Sequence, residues 1–153
     1  MSSPKHEIEA EAILRQTGSR VTRGRVVVLA LLLHANRALT HGEVHAQIGR
    51  SERIDRVTVY RVLDWLTEQG IAHRVSADDR VWRFTVETAE HSGTHPHFQC
   101  NACGNVICLE ETADVPPVAL PAGFRGDEVE LTVKGICAYC LPRKPRPIRK
   151  RAS

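Results

Sequence analysis

Helical segments followed by two β-type runs, and then two C-x-x-C pairs, predict an α+β chain. The order reads as an N-terminal winged helix-turn-helix followed by a small α/β domain clamped by a four-cysteine zinc site. At 153 residues, with 42% hydrophobic and 25% charged side chains, the chain is long enough for one ordinary domain or two small ones with a core. The longest apolar run, the eight residues Val26 to Leu33, is too short for the roughly 18 residues a membrane helix needs. The N-terminus is polar and charged, so a cytoplasmic location with no membrane partner is expected. The net charge of +3 is unevenly spread: residues 1–90 carry 13 basic and 12 acidic side chains, residues 91–140 carry 2 and 6, and residues 141–153 carry 6 and none. Two unlike halves and a basic tail follow.

From Lys5 to Gln16 the apolar residues Ile8, Ala10, Ile13 and Leu14 fall near helical spacing among charges, and Gly18 closes the segment. Thr22 caps a second helix whose apolar run, too long for most strands, predicts a buried helix ending near Asn36. Thr40 with Glu43 three residues on is a capping-box pair, starting a third helix that runs to about Ile48 and stops at Gly49. Asp55 caps a fourth, in which Val59, Val62, Leu63 and Leu66 form one apolar stripe, Arg61 points away from it, and Gly70 ends the helix. The runs Ile71 to Ser76 and Arg80 to Val86, joined by Ala77, Asp78 and Asp79, predict the hairpin that forms the wing.

The winged helix is assigned residues 1–87, a linker 88–94, the second domain 95–140 and a disordered basic tail 141–153. In the second domain, His97 to Cys100 and Val106 to Leu109 predict strands, Val118 to Leu120 a very short helix between prolines, and Val129 to Val133 a last strand. All five cysteines lie between Cys100 and Cys140, and an odd count without a secretory signal favours metal over disulfides. The knuckles Cys100-x-x-Cys103 and Cys137-x-x-Cys140, with 33 residues between them, present four thiolates that close a tetrahedral zinc shell with no vacancy for chemistry. Cys108 stands outside that count, as a small buried hydrophobe or a spare ligand.

His95 and His97 share one face of an extended chain, with His91, Glu87 and Glu90 nearby, so that the two imidazoles can grip one ion. Imidazole suits zinc, iron and nickel alike. His73, just past the fourth helix, is placed to join them across the domain junction. A catalytic zinc with Glu90 or Glu87 as general base is the enzymatic alternative, but no H-E-x-x-H, deaminase or nucleophile-elbow pattern accompanies it. The expectation is therefore a protein that is not an enzyme and takes no small-molecule substrate.

The string from His95-Pro96-His97 through Cys100-Asn101-Ala102-Cys103-Gly104, following Thr58-Val59-Tyr60-Arg61, resembles the ferric uptake regulator family of bacterial metal-responsive repressors. The likeness runs from Val21-Thr22, with Arg25 matching an arginine after the family's V-T opening, through Cys140. It implies a homodimer whose second domain is a dimerisation domain and whose inverted-repeat operator is double-stranded DNA, bound when metal is loaded. It also implies two zinc ions per subunit, one structural at Cys100, Cys103, Cys137 and Cys140, the other regulatory at His95 and His97. Gly70-Ile71-Ala72-His73 is similar to the zinc-sensing branch, which adds His73 as a ligand. The fourth ligand is Glu90, with Cys108 and His91 as alternates. A peroxide- or iron-responsive regulator of the same family is the alternative function. The family's additional metal site falls here on Thr94, Pro96, roughly Val115, and Val129, none of which suits a metal, and Pro116, Pro117 and Pro121 break the helix the family usually carries nearby.

The N-terminal end of a recognition helix enters the major groove, which assigns DNA contacts to Thr58, Tyr60 and Arg61. Arg61 is placed to read guanine and Tyr60 a thymine methyl, with Arg20, Arg23, Arg25 and Arg80 on phosphates.

Overall fold

A computed structural model of the chain describes residues 3–86, 96–109, 118–127 and 129–141. Among the described residues four α-helices, α1 (Pro4–Gln16), α2 (Arg23–His34), α3 (His41–Gln47) and α4 (Arg56–Glu68), with a two-residue strand, β1 (Leu39–Thr40), between α2 and α3, are followed by the other strands of two three-stranded sheets. The first sheet has the order β1-β3-β2, with β2 (Ala72–Ser76) and β3 (Trp82–Val86) forming the wing. The second has the order β5-β4-β6, from β4 (His97–Cys100), β5 (Val106–Cys108) and β6 (Thr132–Gly135).

Helix α1 opens on Pro4 without a side-chain cap, whereas the other three begin where their caps dictate. The Thr22 hydroxyl accepts from the Arg25 N–H, both halves of the Thr40–Glu43 capping box are formed, and the Asp55 carboxylate accepts from the Thr58 N–H at 2.6 Å. The apolar run of α2 is buried from Val26 to Leu32 and forms the centre of a core shared with Ala10 and Leu14 of α1, the stripe of α4, and Phe84 of β3. Helices α2 and α4 meet at Gly24, where a Cβ would stand in ordinary van der Waals contact, 3.5 Å from the Thr58 methyl. After α4, Gly70 takes a left-handed φ of 70° that turns the chain into the wing.

Several expected boundaries move. Helix α2 ends at His34 rather than near Asn36, because Ala35 is already extended. The strand β1 has no periodic signal of its own, and it exists because Leu39 and Thr40 pair antiparallel with Phe84 and Arg83. The last strand is Thr132–Gly135 instead of Val129 to Val133, drawn along by parallel pairing of His97 with Thr132 through Cys100 with Gly135. Val118 to Leu120 form no helix: three residues cannot nucleate one, and Pro121 disfavours helical backbone before it. The expected linker 88–94 lies outside the described residues, as does the expected tail 141–153 apart from Leu141. Among the described residues no helix is long and apolar enough to cross a membrane.

Three observations tie the second sheet to the winged helix. The Ala38 N–H donates to the Val106 carbonyl at 2.8 Å, and Ala38, Val75 and Val106 form a small buried cluster. Lys134 on β6 donates to both Asp78 oxygens, at 2.7 and 2.8 Å, at the tip of the wing.

Candidate metal centres and nucleic-acid interface

The first knuckle is built by the end of β4. The Cys100 N–H donates to Asn105, the Gly104 N–H returns to the Cys100 carbonyl at 2.9 Å, and Gly104 supplies the left-handed residue, φ 72°, that closes the turn. The second is a tight turn in which the N–H groups of Cys140 and Leu141 both donate to the Cys137 carbonyl. Parallel pairing of β4 with β6, continued by the Asn101 N–H on Gly135 at 2.7 Å, brings the two knuckles together. All four sulfurs then lie within 4.8 Å of one another, with Cys103 and Cys137 3.8 Å apart. A tetrahedron with zinc–sulfur bonds of about 2.3 Å has an edge of about 3.8 Å, so the four cysteines fit zinc. Cys100 is 1% exposed and receives the Cys137 N–H at 3.3 Å. That N–H, with the Cys103 N–H, holds the Cys100 thiol down to about 6, while the neighbouring Cys137 and Cys103 side chains push Cys140 up to about 12. Cys100 is therefore the sulfur readiest to ionise near neutrality, whereas Cys140 beside it needs the charge of a metal to do so.

The second cluster spans the two sheets. His73 lies on β2 of the wing, whereas His97 and Cys108 are register partners across β4 and β5. Their ligand atoms lie within 4.8 Å of one another, with the Cys108 sulfur 3.7 Å from the His73 Nε2 and the two imidazole centroids 5.7 Å apart. A tetrahedral zinc bound through nitrogen and sulfur sets those atoms about 3.6 Å apart, so this donor set also fits. Burial pushes the Cys108 thiol up, against a hydrogen bond from Thr85, the residue paired with His73 in the wing. Cys108, set beside Glu90 as an alternate, thus stands in the cluster. His95, Glu87, Glu90 and His91 lie outside the described residues. Among the described residues these two are the groups of metal-ligating side chains that converge.

The exposed end of α4 carries Tyr60 and Arg61, and Arg80 stands at the wing tip with a left-handed φ of 58°. The other candidates are turned to structural contacts. Thr58 is half-buried beside Gly24. Arg25 stacks its guanidinium 3.6 Å from the Trp65 ring centroid and donates to the Arg20 carbonyl at 2.7 Å. Arg23 is gripped by Glu7 at 2.6 Å and by Glu52 on the other side, and the two carboxylates raise its already high pKa. Neither pairing had a sequence signal, since Glu7 and Glu52 lie 16 and 29 residues away.

Comparison with known proteins gives the family and the fold. The sequence profile of the Ferric uptake regulator family matches residues 16–116. The chain belongs to this family. Among curated relatives, the zinc uptake regulation protein of Escherichia coli strain K12 is 31% identical over 138 residues, 87% of this chain and 80% of its own. The peroxide operon regulator of Bacillus subtilis strain 168 is 27% identical over 146 residues, 91% of this chain and 97% of its own. A solved zinc uptake regulator complexed with zinc and DNA superposes with a TM-score of 0.67 at 27% identity, covering 89% of this chain and 93% of that one. The family and the fold, a winged helix followed by a small sheet with a four-cysteine cluster, therefore agree with what the residues predict.

Proposed function

We infer that the protein is a zinc-responsive, DNA-binding transcriptional repressor of metal uptake genes, acting in the cytoplasm as a homodimer on an inverted-repeat operator. The observation that carries this reading is the position of Cys108, which stands opposite His97 in the second sheet and faces His73 of the wing. Thiolate is a soft ligand that favours zinc over manganese and the harder divalent ions, whereas the histidines alone do not discriminate. His73, His97 and Cys108 would hold the regulatory zinc, with His95 as the fourth ligand and Glu90 or His91 as its alternates, and zinc bound there supplies a cross-link between wing and second sheet. The four cysteines would hold a second, structural zinc, giving two per subunit. His95, expected among the regulatory ligands, keeps that proposed role. The proposed boundaries remain 1–87, 88–94, 95–140 and 141–153.

Tyr60 and Arg61 are the proposed base-reading residues, Arg80 a phosphate contact, and Arg25 and Thr58 fix α4 against α2. Arg23 reaches phosphate only by giving up its carboxylates, so its contribution to a salt-dependent affinity is smaller than that of a free arginine. The Bacillus relative keeps a peroxide-responsive function as the second reading. Titration of DNA binding with zinc, iron(II), manganese and nickel separates them: activation by zinc at the lowest free concentration supports the proposal. Activation by iron that peroxide then abolishes overturns it.

A further inference from the structure

Tyr60 is half in solvent, 51% exposed at the outer end of α4, yet its ring is not loose. The imidazole of His41, the first residue of α3, lies against it with a centroid separation of 3.4 Å and an angle of 16° between planes. His41 itself is 9% exposed and its Nε2 stands 3.1 Å from the carbonyl oxygen of Arg56, the first residue of α4. A carbonyl oxygen only accepts, so Nε2 carries the proton and donates, which fixes both the tautomer and the plane of the ring. Helix α3 is in turn fixed by the capping box at Thr40 and Glu43. The imidazole is thus a rigid shelf, bonded to one turn of α4 and stacked on the next.

We propose that His41 is a positioning residue for sequence reading, which holds the Tyr60 ring in one rotamer so that its open face meets a thymine methyl in the major groove. The proposal rests on the reading that α4 enters DNA. An exposed tyrosine that samples several rotamers loses that freedom on binding, and fixing one side chain beforehand is worth a factor of roughly 2 to 10 in affinity. Apolar contact with the thymine methyl is one of the ways the major groove is read, and a ring locked against a buried imidazole cannot swing aside to accommodate its absence. A histidine serves where an aliphatic residue would not, because it combines a flat stacking face with an in-plane donor for the Arg56 carbonyl.

The test uses the zinc-loaded full chain and a duplex selected by it from randomised DNA, with each thymine replaced in turn by deoxyuracil, which removes only the methyl. Wild type is expected to lose affinity at one or more such positions. His41→Ala should weaken binding to the thymine duplex roughly 2- to 10-fold while leaving the corresponding uracil duplex nearly unchanged, and it should add nothing in a Tyr60→Ala background. His41→Phe keeps a flat face for Tyr60 and should restore most of the discrimination, which guards against a His41→Ala protein that fails to fold. Equal losses on thymine and uracil duplexes, or unchanged discrimination in both variants, would overturn the positioning role while leaving DNA binding intact. So would a wild type indifferent to every thymine methyl. A wild type that enriches no duplex removes the DNA-binding reading, and this inference with it.

Discussion

Cys108 decides the chemistry assigned to the site shared by the wing and the second sheet. Cys108 converts a pair of imidazoles into a mixed nitrogen–sulfur set, and its replacement by a hard oxygen ligand tests that assignment: Cys108→Asp should lower the affinity for zinc and raise that for manganese, read by competition with a metal-sensitive dye. An unaltered preference would remove Cys108 from the site. At the wing, Asp79 accepts two hydrogen bonds from Arg83, at 2.9 and 2.7 Å, and one from the Val81 N–H at 3.1 Å. Its carboxyl is held down to about 2 by the Arg83 guanidinium first and the Val81 N–H second. A folded pKa below the ordinary 3.8 means that the carboxylate stabilises the wing above about pH 4 and that this contribution disappears as the pH falls through 2. Asp79→Asn should accordingly melt below wild type at pH 7 and together with it near pH 2. A gap between the two melting curves that persists at pH 2 would contradict the assignment.

The elements differ in how much of them the sequence displays. Caps act over three residues, so Thr22, Thr40 and Asp55 announce their helices, and Asp55→Ala should lower the melting temperature without altering zinc content. The buried run of α2 is equally legible, because seven consecutive apolar residues fill one core. Strand β1 is not, since a two-residue strand is made by a partner more than forty residues away. The same holds for β6, whose register follows from β4, and the apolar content of Val129 to Val133 points to the wrong edge. The metal clusters fall between these cases. The C-x-x-C knuckles are local and visible, whereas Cys108 reaches His97 only through the β4–β5 register. A signal for that pairing was present: Gln99 opposite Val106 around a Cys-x-x-Cys-Gly turn fixes Cys108 opposite His97. The Tyr60 shelf had no such signal, because it depends on how α3 packs against α4.

At the scale of the whole molecule, the question is what fixes the wing relative to the second sheet. The Lys134–Asp78 pair is exposed, with 48% and 65% of the side chains open to solvent, and such pairs contribute about 0 to 1 kcal/mol. The shared apolar cluster is three small residues, Ala38, Val75 and Val106. With the Ala38–Val106 backbone hydrogen bond these remain weak ties, whereas a metal that binds one arrangement about 100-fold better than another shifts the balance by roughly 2.7 kcal/mol. The zinc proposed for the four cysteines would play a different part, holding together a sheet with few buried residues of its own among those described, and structural zinc contributes roughly 10 to 16 kcal/mol in small peptides. Cys103→Ser should therefore lose a zinc equivalent and the folded second sheet, measured by metal analysis and circular dichroism. Full zinc content in that variant would contradict the four-cysteine site.

The central claim is that a metal shared by the wing and the second sheet gates DNA binding, and His73 is the ligand the wing contributes. The direct measurement is the affinity of wild type and His73→Ala for a selected duplex, by fluorescence anisotropy, across a range of free zinc. Wild type should tighten by about 100-fold as zinc rises, while His73→Ala should fold, retain one zinc per chain, and stay at the weak level throughout. A His73→Ala protein that tightens on the duplex as wild type does would contradict the account.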